Sequence, residues 1–347
     1  MIAIVLLHSG QVLFSSEAAT LTERLILQFR TFGVPLLFVN SAFLMADWLE
    51  RNGNDLAEYW KSRFFRIAVP WGFWVTIYMA LDSYKALLRH EKLAWIYHNE
   101  LLRTIFATPF WFVPILFFSL ALMMPLRRYW NSKWLGLGTL ALTLIYGANL
   151  HAGWFPSSHT IAFFGYLFPI WLGIQLYRHL DVVASWVNRL PGWVPVVALL
   201  ATFFLAFSEF NSFPKPGYGS NALQISNLFY ALAVLLLLMK FPLRIAPTFV
   251  DPRKETFGIY LTHEVILMFA VGLFHLFVGE TIQTVARSYS AGGRISIWFL
   301  MTALVFAGCL FSTKVIRSTP WAWTVGDGFR TSDKRRPSHV KPAHTSF

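Results

Sequence analysis

Apolar runs of about 20 residues recur along this chain with short polar breaks between them, the length a ~30 Å hydrocarbon core requires of a helix. They fall near 32–49, 65–82, 109–126, 133–150, 160–177, 193–209, 221–239, 257–278 and 294–316, behind an apolar opening fragment at 1–14. The expected fold is all-α: a polytopic integral membrane bundle of about ten transmembrane helices. Composition agrees, since 56% of the 347 residues are hydrophobic and only 13% are charged. A soluble domain carries about 25% charged residues. The 34 Phe and 15 Trp supply rings for interfaces and helix–helix gaps.

The net charge of +12 is distributed by loop. Arg51, Lys61, Arg63 and Arg66 precede one span; Arg127, Arg128 and Lys133, then Arg178 and Arg189, then Lys240, Arg244, Arg253 and Lys254 occupy alternate later loops. Lys314, Arg317 and a basic tail follow, so both termini are expected in the cytoplasm. This is membrane topology, and nucleic acid is excluded as a partner. The loop 83–108 dissents: Lys85, Arg89, Lys92 and Arg103 are placed outside, where they could meet an anionic glycan or lipid headgroups. Residues 1–330 read as one membrane domain and 331–347 as a basic, disordered cytoplasmic tail. Neither an internal repeat nor a matched pair of broken helices points to an inverted-repeat transporter. Cys309 is the single cysteine, which rules out an intramolecular disulfide.

Polar side chains inside apolar spans are costly, so each needs a reason. His8 ends the opening run, Asn40 and Ser41 interrupt the next, and His263, Glu264 and His275 lie in the run beginning near 257. His263 is read either as a neutral imidazole bonded to a neighbouring helix or as a functional group, with Tyr260 on the same helical face. Glu264 points about 100° away and is set aside as a helix-to-helix contact or an arginine partner. Arg63 and Arg66 are read either as topology anchors or as a clamp for a phosphate-bearing ligand, with Pro70 kinking or restarting the helix behind them. Scattered histidines without ligand spacing argue against a metal site. PSSHT at 156–160 resembles the central signature of lipid-phosphate phosphatases, but the two basic signatures those enzymes also need are missing. Ser157, Ser158 and His159 are therefore expected to cap the helix that follows.

Taken in order, several motifs resemble acyltransferase family 3, the membrane O-acyltransferases that modify bacterial surface glycans. They are VLLHSG ending in His8, VPLLFVNSAFLM at 34–45, RFFRIAVP at 63–70, FWFVP at 110–114, FPIWLG at 168–173 and IYLTH at 259–263. Two departures stand out. The family's Ser-Gly is Ser41-Ala42 here, and its arginine about eleven residues, some three helical turns, before the histidine would fall ahead of Met1. The opening is thus expected to be the outer half of a first helix.

The resemblance implies an acyltransferase in the bacterial inner membrane. It would move an acyl group, acetyl above all, from cytoplasmic acyl-CoA to a sugar hydroxyl of a surface or lipid-linked glycan, with no metal and no cofactor beyond the donor. It also implies Arg63 and Arg66 as the acyl-CoA clamp and His8 as general base or acyl carrier. His263 with Tyr260 becomes the partner in proton transfer or the donor to the thioester carbonyl. Trp111 is placed at an interface or along the glycan path. A multi-pass transporter or flippase using its histidines as a proton relay is the rival class.

Overall fold

The computed structural model describes residues 1–14, 21–88, 93–213, 221–242 and 250–327. The tail 331–347, and the basic residues Arg89, Lys92 and Arg244 of the topology argument, lie outside them. Among the described residues every regular element is helical and no strand occurs. Helices α1 (Ile2–Leu13), α2 (Leu21–Gln28), α3 (Gly33–Arg51), α4 (Leu56–Arg63) and α5 (Val69–Leu88) come first. There follow α6 (Leu93–Ala107), α7 (Phe112–Met123), α8 (Lys133–Ala152), α9 (Leu167–Arg178) and α10 (Leu180–Arg189). The last are α11 (Trp193–Ser212), α12 (Ile225–Lys240), α13 (Pro252–Val278), α14 (Ile282–Arg287) and α15 (Ala291–Arg317).

Among the described residues, six helices are long and apolar enough to cross a membrane, or up to seven if the bent pair formed by α6 and α7 counts as one span. Ile2–Leu13 and Ile225–Lys240 are apolar but shorter. The expected count of about ten therefore exceeds what length and composition provide. The largest difference lies at 160–177, where only Leu167–Arg178 is α-helical, after a 3-10 turn at Phe163–Tyr166. The residues before that turn take irregular turns and line a cavity.

Two buried apolar clusters hold the bundle. One joins α3, α7 and α9 through Phe38, Met45, Ile115 and Ile170. In it α3 meets α9 so closely that a Cβ on Gly173 would lie 2.1 Å from the Val39 carbonyl oxygen, which is why the sixth position of FPIWLG admits only glycine. The other joins α1, α13, α14 and α15 through Val5, Ile259, Ile282 and Trp298. The chain between α4 and α5 forms a π-helical turn, Phe64–Ala68, whose cap sends the Val69 amide to the Phe64 carbonyl, five residues back. Pro70 sits just beyond it, so the irregularity expected at that proline takes the form of a π turn carrying Arg66.

Between α6 and α7 the chain bends by 74° at Thr108 and Pro109. Carbonyls freed at such a break must find other donors in a bilayer. Trp71 Nε1 donates to the Phe110 carbonyl at 3.0 Å, and the Tyr260 hydroxyl donates to the Pro109 carbonyl at 2.8 Å. Thr108 closes the end of α6 by donating to the Thr104 carbonyl at 2.6 Å.

Candidate active site

The α6–α7 break forms one wall of a cavity of about 440 Å³, lined also by α1, α3, α5, α13 and the segment 158–160. Its polar lining includes His8, Tyr78, Arg103, His159, Tyr260 and Glu264.

His8 is held from the backbone upward. Trp298 Nε1 donates to the Leu6 carbonyl at 3.1 Å, Arg30 Nη1 donates to the Leu7 carbonyl, and Ser9 Oγ lies 2.6 Å from Thr302 Oγ1. Gly10 eases this approach, because a Cβ there would stand 3.0 Å from Leu27 Cδ2 and 3.1 Å from Arg30 Nη1, closer than ordinary contact. A helix of twelve residues is thereby fixed by its neighbours. The His8 Nδ1 lies 2.8 Å from Gln11 Oε1. An amide oxygen only accepts, so Nδ1 carries the proton and Nε2 keeps the lone pair of a base.

His263 shares that arrangement. Its Nδ1 donates to the Tyr260 carbonyl at 2.5 Å, which leaves Nε2 as an acceptor, and this atom is buried with no hydrogen-bond partner. The His8 and His263 rings lie 5.2 Å apart with planes tilted by 42°. Tyr260 is committed elsewhere. Its hydroxyl holds the helix break, and its ring meets that of His263 at 5.9 Å without a hydrogen bond between them.

Glu264, which the helical wheel turned away from His263, points to the cavity, and its Oε2 is buried without a partner. Among the described residues it neither pairs with an arginine nor makes a helix-to-helix hydrogen bond. Arg103 reaches the cavity rim in an ion cluster, bonded to Glu100 at 2.6 Å and also to Asp82. His159 does not cap a helix: Ser158 Oγ accepts the Thr160 amide at 3.3 Å, and the next α-helix starts only at Leu167. The His159 ring lines the cavity and meets Trp111 edge-on at 5.0 Å. His275 is exposed near the end of α13, and Asn40 is exposed on α3.

Arg63 and Arg66 do not line the cavity. Arg63 sits over the Tyr59 ring at 5.1 Å, and Arg66 is exposed in the π turn. Tyr78 on the cavity wall is twelve residues beyond Arg66, about 18 Å along the helix at 1.5 Å per residue. The structure thus brings His8, His263 and Tyr260 together and leaves the two arginines apart. Sequence reasoning did not single out Tyr78, placed Arg103 only in a basic outer loop, and gave His159 and Glu264 structural roles, although Glu264 carried a signal as an acidic residue deep inside an apolar run.

A family model described as an acyltransferase domain matches residues 1–314, nine-tenths of the chain. The chain belongs to acyltransferase family 3. It is a membrane acyltransferase. No curated protein and no solved structure matches it.

Proposed function

We propose that this acyltransferase moves an acyl group from cytoplasmic acyl-CoA, with acetyl-CoA the leading donor, to a sugar hydroxyl of a surface or lipid-linked glycan. The observation that carries the reading is the placement of His8: an imidazole on the cavity wall whose Nδ1 lies 2.8 Å from Gln11 Oε1, a contact that favours the proton on Nδ1 and leaves Nε2 to take one. A hydroxyl is a poor nucleophile, and a positioned base contributes about 10²–10⁴ in rate. With Nε2 accepting the hydroxyl proton, the oxygen attacks the thioester carbonyl carbon, and collapse of the tetrahedral species expels the thiolate, which regains the proton.

On the topology read from the basic loops, the cavity lies at the outer end of the bundle, beside Arg103 and the segment 158–160, while Arg63 and Arg66 lie at the cytoplasmic end. Phosphates held there would present the thioester to His8 through the extended pantetheine arm. Both termini would then be cytoplasmic and the membrane a bacterial plasma membrane. His263 contributes as the neighbour through which a proton is shared with His8, and Tyr260 by holding the break that shapes the cavity.

The test is transfer of radiolabelled acetyl from acetyl-CoA to glycan in membranes containing the chain. Label in glycan is expected, with a raised KM for acetyl-CoA in Arg63→Ala and Arg66→Ala. Proton-coupled uptake of a solute without any acyl transfer would overturn the reading.

A further inference from the structure

His159 is a second imidazole on the cavity wall beside His8, and neither the base nor its buried neighbour His263 accounts for it. It lies within electrostatic reach of His8. Its backbone is fixed on both sides: the Tyr166 hydroxyl donates to the His159 carbonyl at 3.1 Å, and Asn221 Nδ2 donates to the Ser157 carbonyl at 2.8 Å. The edge contact with Trp111 fixes the ring as well. Among the described residues its ring nitrogens bond to no protein group, although every hydrogen bond that orients the segment comes from its backbone or its neighbours. A ring held in place with its polar atoms left over is poised for a ligand.

We propose that His159 is a catalytic residue of the acyl-transfer step, its ring N–H donating to the thioester carbonyl oxygen as that oxygen becomes anionic. The proposal rests on the acyl-transfer reading above. As the acceptor oxygen bonds to the carbonyl carbon, the C=O π pair moves onto oxygen. His8 Nε2 holds the proton lost by the hydroxyl, and the His159 N–H stabilises the oxyanion. When the C=O re-forms, the C–S bond breaks and the thiolate leaves with that proton. Such donors act strongly in a site where they are fixed before reaction. Burial pushes the His159 pKa down to about 4, so the ring is a neutral donor at pH 7. His8, with its proton already assigned to Nδ1, keeps the base role.

The experiment compares His159→Leu, which has no donor, with His159→Gln, whose amide can donate, in full-length protein in membranes with radiolabelled acetyl-CoA. The Leu variant is expected to lose about 10²–10³ in kcat with little change in KM for acetyl-CoA, and Gln to recover part of that loss. The acid limb of the pH–rate profile, set by His8, should persist in the Gln variant. A melting midpoint measured beside each rate separates misfolding from chemistry, and His159→Met replaces Leu if Leu lowers that midpoint. Unchanged kcat in the donor-free variant overturns the proposal, as does loss of the acid limb in Gln, which would make His159 the base. Transfer that needs His8 but not His159 removes this proposal alone; absence of transfer in the unmodified chain removes the function itself.

Discussion

Gly10 decides how close three side chains come to the turn that carries His8. A Cβ there would meet Leu27 at 3.0 Å, Arg30 at 3.1 Å and Trp298 at 3.2 Å, and the last two are the donors to the carbonyls just before His8. Gly10→Val should cost about 1–3 kcal/mol by overpacking. A lowered melting midpoint checks this, and an unchanged midpoint would show that α1 can shift freely. His159 makes the second prediction at this scale. Its pKa is about 4 in the folded chain against 6.5 for an unburied imidazole. Between those values the unfolded chain binds the proton and the folded one does not, so its contribution to stability falls as pH drops from 6.5 toward 4. The loss of melting midpoint over that range should be smaller in His159→Gln than in the unmodified chain.

His8 and His263 were legible because an imidazole stands out in an apolar run. Glu264 and His159 were not. A helical wheel shows which residues share a face, but the cavity takes Glu264 from one face of α13 while α1 covers His263 on another. His159 lies in chain without regular periodicity, where a cap is the default reading of Ser and His.

At the scale of elements, the break between α6 and α7 depends on groups from two other helices. Trp71 from α5 and Tyr260 from α13 donate to the Phe110 and Pro109 carbonyls at the 74° bend. Tyr260→Phe removes one donor, buried, and should cost about 1–3 kcal/mol. Tyr260→Phe should slow acyl transfer less than His8→Ala, because the phenol holds the cavity wall and no observed bond joins it to either imidazole. Equal losses in the two variants would place the hydroxyl in the chemistry. The helices α8, α11, α13 and α15 appear close to the limits expected at 133–150, 193–209, 257–278 and 294–316. What periodicity could not show was that 160–177 would yield only a twelve-residue helix, because apolar residues such as Phe163 and Phe164 serve a 3-10 turn as readily as a span. The π turn at Phe64–Ala68 was equally hidden, since its residues are those of an ordinary apolar helix start.

Across the whole molecule, the cavity takes its walls from α1, α3, α5, α6, α13 and the segment 158–160, so it is set by packing between segments far apart in sequence. Arg66 lies about 18 Å along the helix from Tyr78 and Arg63 lies further still, so on the proposed function donor binding and chemistry would occupy different levels of the bundle. Arg66→Ala should weaken binding of acetyl-CoA and leave kcat near its starting value, as expected when uniform binding is removed. A fall in kcat with unchanged KM would place that arginine at the reacting centre. The class of fold followed from the apolar runs, whereas the meeting of α1 with α13 is a tertiary fact that pairs His8 with a residue more than 250 positions away.

The most direct test is the maximal rate of acetyl transfer to glycan by His8→Ala in membranes, normalised to folded protein. A loss of about 10²–10⁴ is expected if His8 is the base on the cavity wall. Transfer at the unmodified rate would contradict that account.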